Sequence, residues 1–188
     1  MSDGTVAKTF TPLQTPRLVL RPMAPADWPA IHRYMSDGVV TRWLPEGRLD
    51  EAQAQAFAQE NAGRSARALA VIERETGQLV GHMVFHPWFV RATHELGWVI
   101  SSGHQDRGYA TEAARALMEF AFCTLRSHRV VATCQPENAA SWRVMEKLGM
   151  RREAHFRQAL HQESGEWWDE YFYALLADEY FAAPSSST

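Results

Sequence analysis

Apolar and polar positions along the chain alternate in short blocks that switch between the period of a strand and that of a helix. Arg17-Leu18-Val19-Leu20-Arg21 reads as the strand that opens a sheet. Asp27 to Met35, after Pro25, reads as a short helix, and Asp50 to Ala62 as a second, with Asp50 and Glu51 favouring its N-terminal end. Leu69 to Glu73 and Leu79 to Phe85 flank the turn Glu75-Thr76-Gly77-Gln78 and predict a hairpin. A strand over Glu95 to Ile100, a helix over Thr111 to Leu125, a strand over Arg129 to Gln135 and a helix over Ser141 to Leu148 follow. Two last strands, Glu153 to Leu160 and Trp168 to Leu176, flank a turn at Glu163-Ser164-Gly165-Glu166. Strands mixed with helices predict one α/β fold with a mixed, mostly antiparallel sheet and helices on both faces. The expected organisation is a flexible lead over 1–14, a single domain over 15–178 and a flexible tail over 182–188.

The bulk numbers narrow the function classes. At 188 residues with 46% hydrophobic and 22% charged positions, the chain can bury a core without staples. A net charge of −3 without a basic block gives no reason to expect nucleic acid or an anionic membrane as partner. Cys123 and Cys134 lack metal or redox spacing, which fits a reducing cytoplasm. No signal peptide or long apolar run argues for export or membrane spanning. Eight histidines are present, with His82, His86 and His94 on or near strands, but no HExxH or Cys/His spacing predicts a metal. His82 and His86 share a strand face with Val84 and could line a substrate pocket.

The segment Gln105-Asp106-Arg107-Gly108-Tyr109-Ala110-Thr111-Glu112 carries the strongest chemical signal. It joins the strand ending at Ile100 to a helix. A strand, a tight loop and a helix start place free backbone N–H groups around one point, where the helix dipole favours negative charge. That is a cradle for a pyrophosphate. Gly108 lets the backbone approach phosphates without a Cβ, and Ala110 keeps the next turn slim.

Together with Asn138-x-x-Ser141 and Glu146-Lys147-Leu148-Gly149-Met150, this loop resembles the GCN5-related N-acetyltransferases (GNAT), whose acetyl-CoA loop reads Gln/Arg-x-x-Gly-x-Gly/Ala. The opening Thr15 to Arg21 (Thr-Pro-Arg-Leu-x-Leu-Arg) is similar to the ribosomal-protein alanine N-acetyltransferase subgroup. The resemblance covers Arg17 to Leu176. It implies that the sheet splays between Glu95–Ile100 and Arg129–Gln135 and that acetyl-CoA threads the gap as co-substrate. Gln105, Arg107, Gly108, Tyr109, Ala110 and Thr111 would hold its phosphates. Backbone groups near Val99 and Ile100 would pair with the pantetheine amides, and an N–H there would polarise the thioester carbonyl.

The amine must arrive neutral, so a carboxylate or a water chain must take its proton. Glu95 is the first candidate for that base; Glu170 and Asp169 are rivals, of which period-two alternation lets only one face the site. Glu112, in the first turn of the cradle helix, reads as structural. Family members often use a tyrosine just before Glu-Lys-Leu-Gly to reprotonate the departing thiolate. Met145 stands there, which transfers the role to Ser141 or to water. Ser141 is equally readable as a polar residue at a helix start, and Asn138 either as a pantetheine contact or as the helix cap. Cys134 reads as core. Trp167, Trp168, Tyr171, Phe172 and Tyr173 read mostly as core, with a substrate wall as the alternative.

The expected activity is direct acetyl transfer from acetyl-CoA to a primary amine, on a protein N-terminus or a small molecule. The acceptor pocket would be built from Trp28–Pro45 and the last hairpin. The rival from another class is a catalytically silent acyl-CoA-binding module. A nucleotide-binding domain is disfavoured because the loop is neither Gly-x-Gly-x-x-Gly nor Gly-x-x-x-x-Gly-Lys-Ser/Thr. A homodimer is compatible with the chain, which alone does not fix the oligomeric state.

Overall fold

The computed structural model describes residues 11–63, 66–162 and 165–182. Eight strands form one sheet: β1 (Leu13–Gln14), β2 (Leu18–Pro22), β3 (Ala68–Glu73), β4 (Leu79–Pro87), β5 (Thr93–Ile100), β6 (Arg129–Cys134), β7 (Arg151–His161) and β8 (Trp167–Leu176). Their spatial order is β1-β2-β3-β4-β5-β6-β8-β7. Neighbours are antiparallel except β5 and β6, which run parallel because a helix connects them.

The sheet is covered on both faces because its strands alternate their apolar side chains. Leu69, Val71, Met83 and Leu96 pack with one set of helices, α4 (Tyr109–Glu119) and α5 (Ala139–Lys147). Ala68, Ala70 and Val99 pack with the other set, α1 (Trp28–Met35), α2 (Gly38–Thr41) and α3 (Glu51–Glu60). The small residues on this second face let Ile31, Tyr34 and Ala54 come close to the sheet. Asp50 and Gln53 cap α3 reciprocally, Gln53 N–H donating to Asp50 at 2.8 Å and Asp50 N–H to Gln53 at 2.8 Å.

Three features differ from the sequence reading. Leu13 and Gln14, assigned to the lead, pair with Leu20 and Val19, so the ordered sheet begins two residues earlier than 15; residues 1–10 lie outside the described chain. The helix expected over Thr111 to Leu125 starts at Tyr109 and turns into a π-helical segment over Phe120–Thr124, where Leu125 N–H reaches back to Phe120. A short helix α6 (Ala177–Ala182) follows β8, and Glu179 accepts the Leu176 N–H at 2.9 Å; the rest of the expected tail, 183–188, lies outside the described residues, as do Glu163 and Ser164 of the last turn.

Candidate active site

The two central strands pair only at Thr93↔Arg129, His94↔Val130 and Glu95↔Val131. Beyond that rung, Leu96–Ile100 and Ala132–Cys134 diverge, and their facing edges carry backbone donors and acceptors without each other as partners. β5 meanwhile stays paired to β4 through Ile100. Gly81 makes that possible: a Cβ at this position would lie 2.1 Å from the Val99 carbonyl oxygen. The end of β5 thus stays close against β4 after its pairing with β6 has ended. The sequence reading gave no role to Gly81, and its signal, a glycine inside a strand pattern, is one that marks close backbone approach.

Glu95 is the third residue of β5, not its first, and so falls on the last closed rung. Its face is that of Gly97 and Val99, the α1/α3 side. Glu170 of β8 is on the same side. The two carboxylates border a cavity of about 550 Å³ that also has Val131, Thr133, Phe172 and Phe156 in its lining. Glu95 contacts His86 Nε2 at 3.4 Å. Burial holds the Glu170 carboxyl above the ordinary carboxylate range; a hydrogen bond with Thr133 opposes this and the charge of Glu95 adds to it. Asp169 faces the other way and accepts from the Gln158 N–H at 2.8 Å while contacting His155 Nε2 at 2.7 Å. Of the two rivals, only Glu170 reaches the cavity. Trp28–Pro45 contributes no lining residue, although Trp43 meets Trp168 of the last hairpin with ring centroids 6.3 Å apart.

At the opposite end of the opening, Gly108 adopts φ +79° and stands as the N-cap of α4. A residue without a side chain cannot cap, so the first-turn N–H groups of Tyr109, Ala110 and Thr111 point free of the helix. Gln105 is tied to the end of β5 by donating from its amide to the Ile100 carbonyl at 3.0 Å. Arg107 is exposed, and its carbonyl accepts from Arg17 at 2.9 Å. Arg17 also donates from Nε to Glu112 at 2.6 Å and lies 4.7 Å from the Tyr109 ring centroid. Glu112 further accepts from the Thr15 hydroxyl at 2.6 Å and the Arg17 N–H at 2.9 Å. Burial pulls the Glu112 carboxyl upward, but these bonds hold it below its usual value. Its structural reading fits this bracing. Tyr109 turns its side chain into the core, where its hydroxyl donates to Glu73, so only its backbone faces the cradle. The bracing role of Arg17 was not read from the sequence, because it depends on a partner 95 positions away.

Asn138 is the cap of α5: its side chain accepts from the Ser141 N–H at 3.2 Å. Ser141, in the first turn of α5, is near enough to Cys134 on the α4/α5 face to lower its thiol pKa. Glu95 and Ser141 therefore lie on opposite faces of the sheet. Burial pushes the Cys134 thiol up to about 11, against the Ser141 bond, so it stays protonated near neutrality and is no nucleophile. Met145 is enclosed in the core at 1% exposure. His82 is buried against Tyr34, whose hydroxyl lies 2.8 Å from its Nδ1, and burial lowers its pKa to about 4. It is a neutral core residue outside the cavity, contrary to the pocket reading; His86 reaches the cavity only through Glu95. Among the described residues, no group of three His, Cys, Asp or Glu could hold a metal ion, and no helix is long and apolar enough to cross a membrane.

Residues 17–151 match the family model of the acetyltransferase (GNAT) domain. The chain is 45% identical over 168 residues to YnaD, an uncharacterized N-acetyltransferase of Bacillus subtilis (strain 168), covering 89% of this chain and 98% of that protein. Among solved structures, a GNAT-family acetyltransferase from Bacillus anthracis superposes with a TM-score of 0.86 at 43% identity, over 90% of this chain and 100% of the other. A ribosomal-protein-S5-alanine acetyltransferase from Vibrio fischeri shares the fold at TM-score 0.75 and 17% identity, over 91% of this chain and 99% of the other. The ribosomal-protein subgroup is thus one of several neighbours, and the wider family is the level at which the likeness is strong.

Proposed function

Because this chain belongs to the GNAT family of acetyltransferases, we propose that it transfers acetyl directly from acetyl-CoA to a primary amine, with both substrates bound across the β5–β6 opening. The observation that carries the reading is the opening itself. Pairing stops at Glu95↔Val131, with an uncapped helix start at one end and a cavity holding two carboxylates at the other.

The residues present suit acetyl-CoA. The N–H groups of Gly108 to Thr111 supply donors and a positive dipole end for a pyrophosphate. Gln105 and Arg107 complete that loop, the first by fixing it to β5 and the second as an exposed cation. The edge of β5 that β6 leaves open toward Val99 and Ile100 can extend the strand pattern to the amides of the pantetheine arm, with the Ile100 carbonyl already taken by Gln105. A backbone N–H there would stabilise the charge that builds on the thioester oxygen. In this reading Asn138 shapes the site by holding the start of α5 rather than by its own contact with the arm.

Glu95 takes the proton of the incoming ammonium, directly or through one water, and frees the nitrogen lone pair. The nitrogen then forms a bond to the acetyl carbon as the carbon–sulfur bond breaks and sheds its second proton to solvent, giving the amide and the CoA thiolate. Ser141, at the start of α5, donates toward the departing thiolate, which recovers a proton as CoA leaves. The cytoplasm is the proposed location; the two cysteines, one exposed and one buried, are both free thiols.

The test is a coupled measurement of CoA binding by calorimetry and CoA release across a panel of amines. Acetyl-CoA-dependent release with at least one amine supports transfer. Tight CoA binding without turnover on any amine leaves a silent acyl-CoA-binding module instead.

A further inference from the structure

Resting on the transfer reading above, we propose that the acceptor is a small monoamine whose single cationic nitrogen is attached to one aromatic or branched apolar group. The cavity beside Glu95 carries the inference. Its volume, about 550 Å³, lies within the range of small-molecule sites. It is lined by Val131, Phe172, Phe156 and Leu160 and, from the turn between β4 and β5, by Trp88 and Phe89. Phe89 is 87% exposed and Phe156 46%. Single exposed apolar residues are ordinary, but here two phenyl rings from distant segments border the same cavity. Such a surface gains by covering an apolar body.

The charge inside the cavity is the second, independent observation. Glu95 and Glu170 both border it and attract one ammonium group. The cation among the lining residues, Arg129, is committed: its guanidinium pairs with Glu153 and lies 6.0 Å from the Phe172 ring centroid. Glu153 is in turn shared with Arg151 at 2.9 Å. A second ammonium would have to lie on the phenyl and indole side chains, where the lining offers no further carboxylate, so polyamines and aminoglycosides fit poorly. A carboxylate next to the reacting nitrogen would face Glu95 and Glu170, which disfavours free amino acids. Approach from this end also leaves the cradle end of the opening to the cofactor, so the two substrates meet near the last closed rung.

The experiment compares kcat/KM for phenethylamine, tryptamine and isoamylamine with that for spermidine, kanamycin, lysine and peptides with a free N-terminus. The first three should exceed the others by at least about tenfold, the discrimination that a pocket gains from one or two apolar contacts. Phe156→Ser and Phe89→Ser, at exposed positions, should raise KM for phenethylamine roughly tenfold while leaving KM for acetyl-CoA in place. Preference for spermidine, kanamycin, lysine or peptides overturns the acceptor class and leaves acetyl transfer standing. Turnover with no amine overturns both readings. A dimer that Phe89→Ser dissociates, with KM for phenethylamine unchanged, would make the Trp88–Phe89 turn an interface between copies and end the proposal.

Discussion

The two ends of the β5–β6 opening are built in opposite ways. The proposed cradle end is made of backbone: one glycine at positive φ, three N–H groups of a helix start, and the Arg17–Glu112 pair bracing the loop from its side. The acceptor end is made of side chains delivered by β4, β5, β6, β7 and β8, with the turn at Trp88 and Phe89. A backbone site recognises what all acyl-CoA substrates share and tolerates little change in conformation. A side-chain site can be altered one residue at a time, which is how one fold comes to serve different amines.

The largest effect should come from the junction of the two ends. Glu95→Gln is expected to lower kcat/KM by about 10²–10⁴ near neutral pH. CoA affinity by calorimetry should barely move. A variant that keeps most of its activity would pass the role to Glu170.

Next in size is the thiolate side. Ser141→Ala should lower kcat by up to roughly 10², and more than it weakens acetyl-CoA binding, since its contact matters most as sulfur gains charge. The Asn138 cap uses the Ser141 backbone N–H, which the substitution leaves intact. Lower melting temperature with unchanged kcat would reduce Ser141 to a partner of the Cys134 thiol.

For the cradle, Gly108→Val forces a β-branched residue to φ +79°. Strain of about 1–3 kcal/mol corresponds to a loss of CoA affinity of roughly fivefold to 150-fold if the loop distorts to relieve it. A Cβ there would sit 3.5 Å from the Arg17 guanidinium, an ordinary contact, so the fold should persist by circular dichroism. Unchanged affinity would separate the cradle from the cofactor.

The smallest effect is on stability at the acceptor end. Burial raises the Glu170 pKa in the fold. Below the ordinary carboxylate range the group is protonated in both folded and unfolded chains and contributes nothing. As pH rises through that range the unfolded chain ionises first, so the fold loses stability until Glu170 ionises as well. Glu170→Gln should therefore melt higher than the parent at pH 7–8 by a few degrees, and the two should converge near pH 3.5. An equal difference at both pH values would assign the effect to packing.

What was legible in the chain divides along the same line. The cradle is local: a glycine, a small residue and a helix start within a few positions fix φ and free donors wherever the segment folds. The strand and helix pattern, the structural reading of Glu112 and the core reading of Cys134 also follow from composition and period. Asp169 and Glu170 could be sent to opposite faces by alternation alone, but which of them met the cavity depended on how β8 sits against β6. His82 and His86 share a strand face, yet one is sealed under Tyr34 and Phe57 while the other reaches Glu95.

The elements, the family resemblance and the candidate cradle could be read along the chain, because each rests on neighbours a few residues apart. Only the tertiary structure decided where β5 and β6 part, that Gly81 lets them, that Arg17 braces the loop, and that Glu95 and Glu170 share one cavity with Phe89 and Phe156. Those are meetings of residues tens of positions apart. Register and packing of the whole sheet set them, and no local pattern encodes that register.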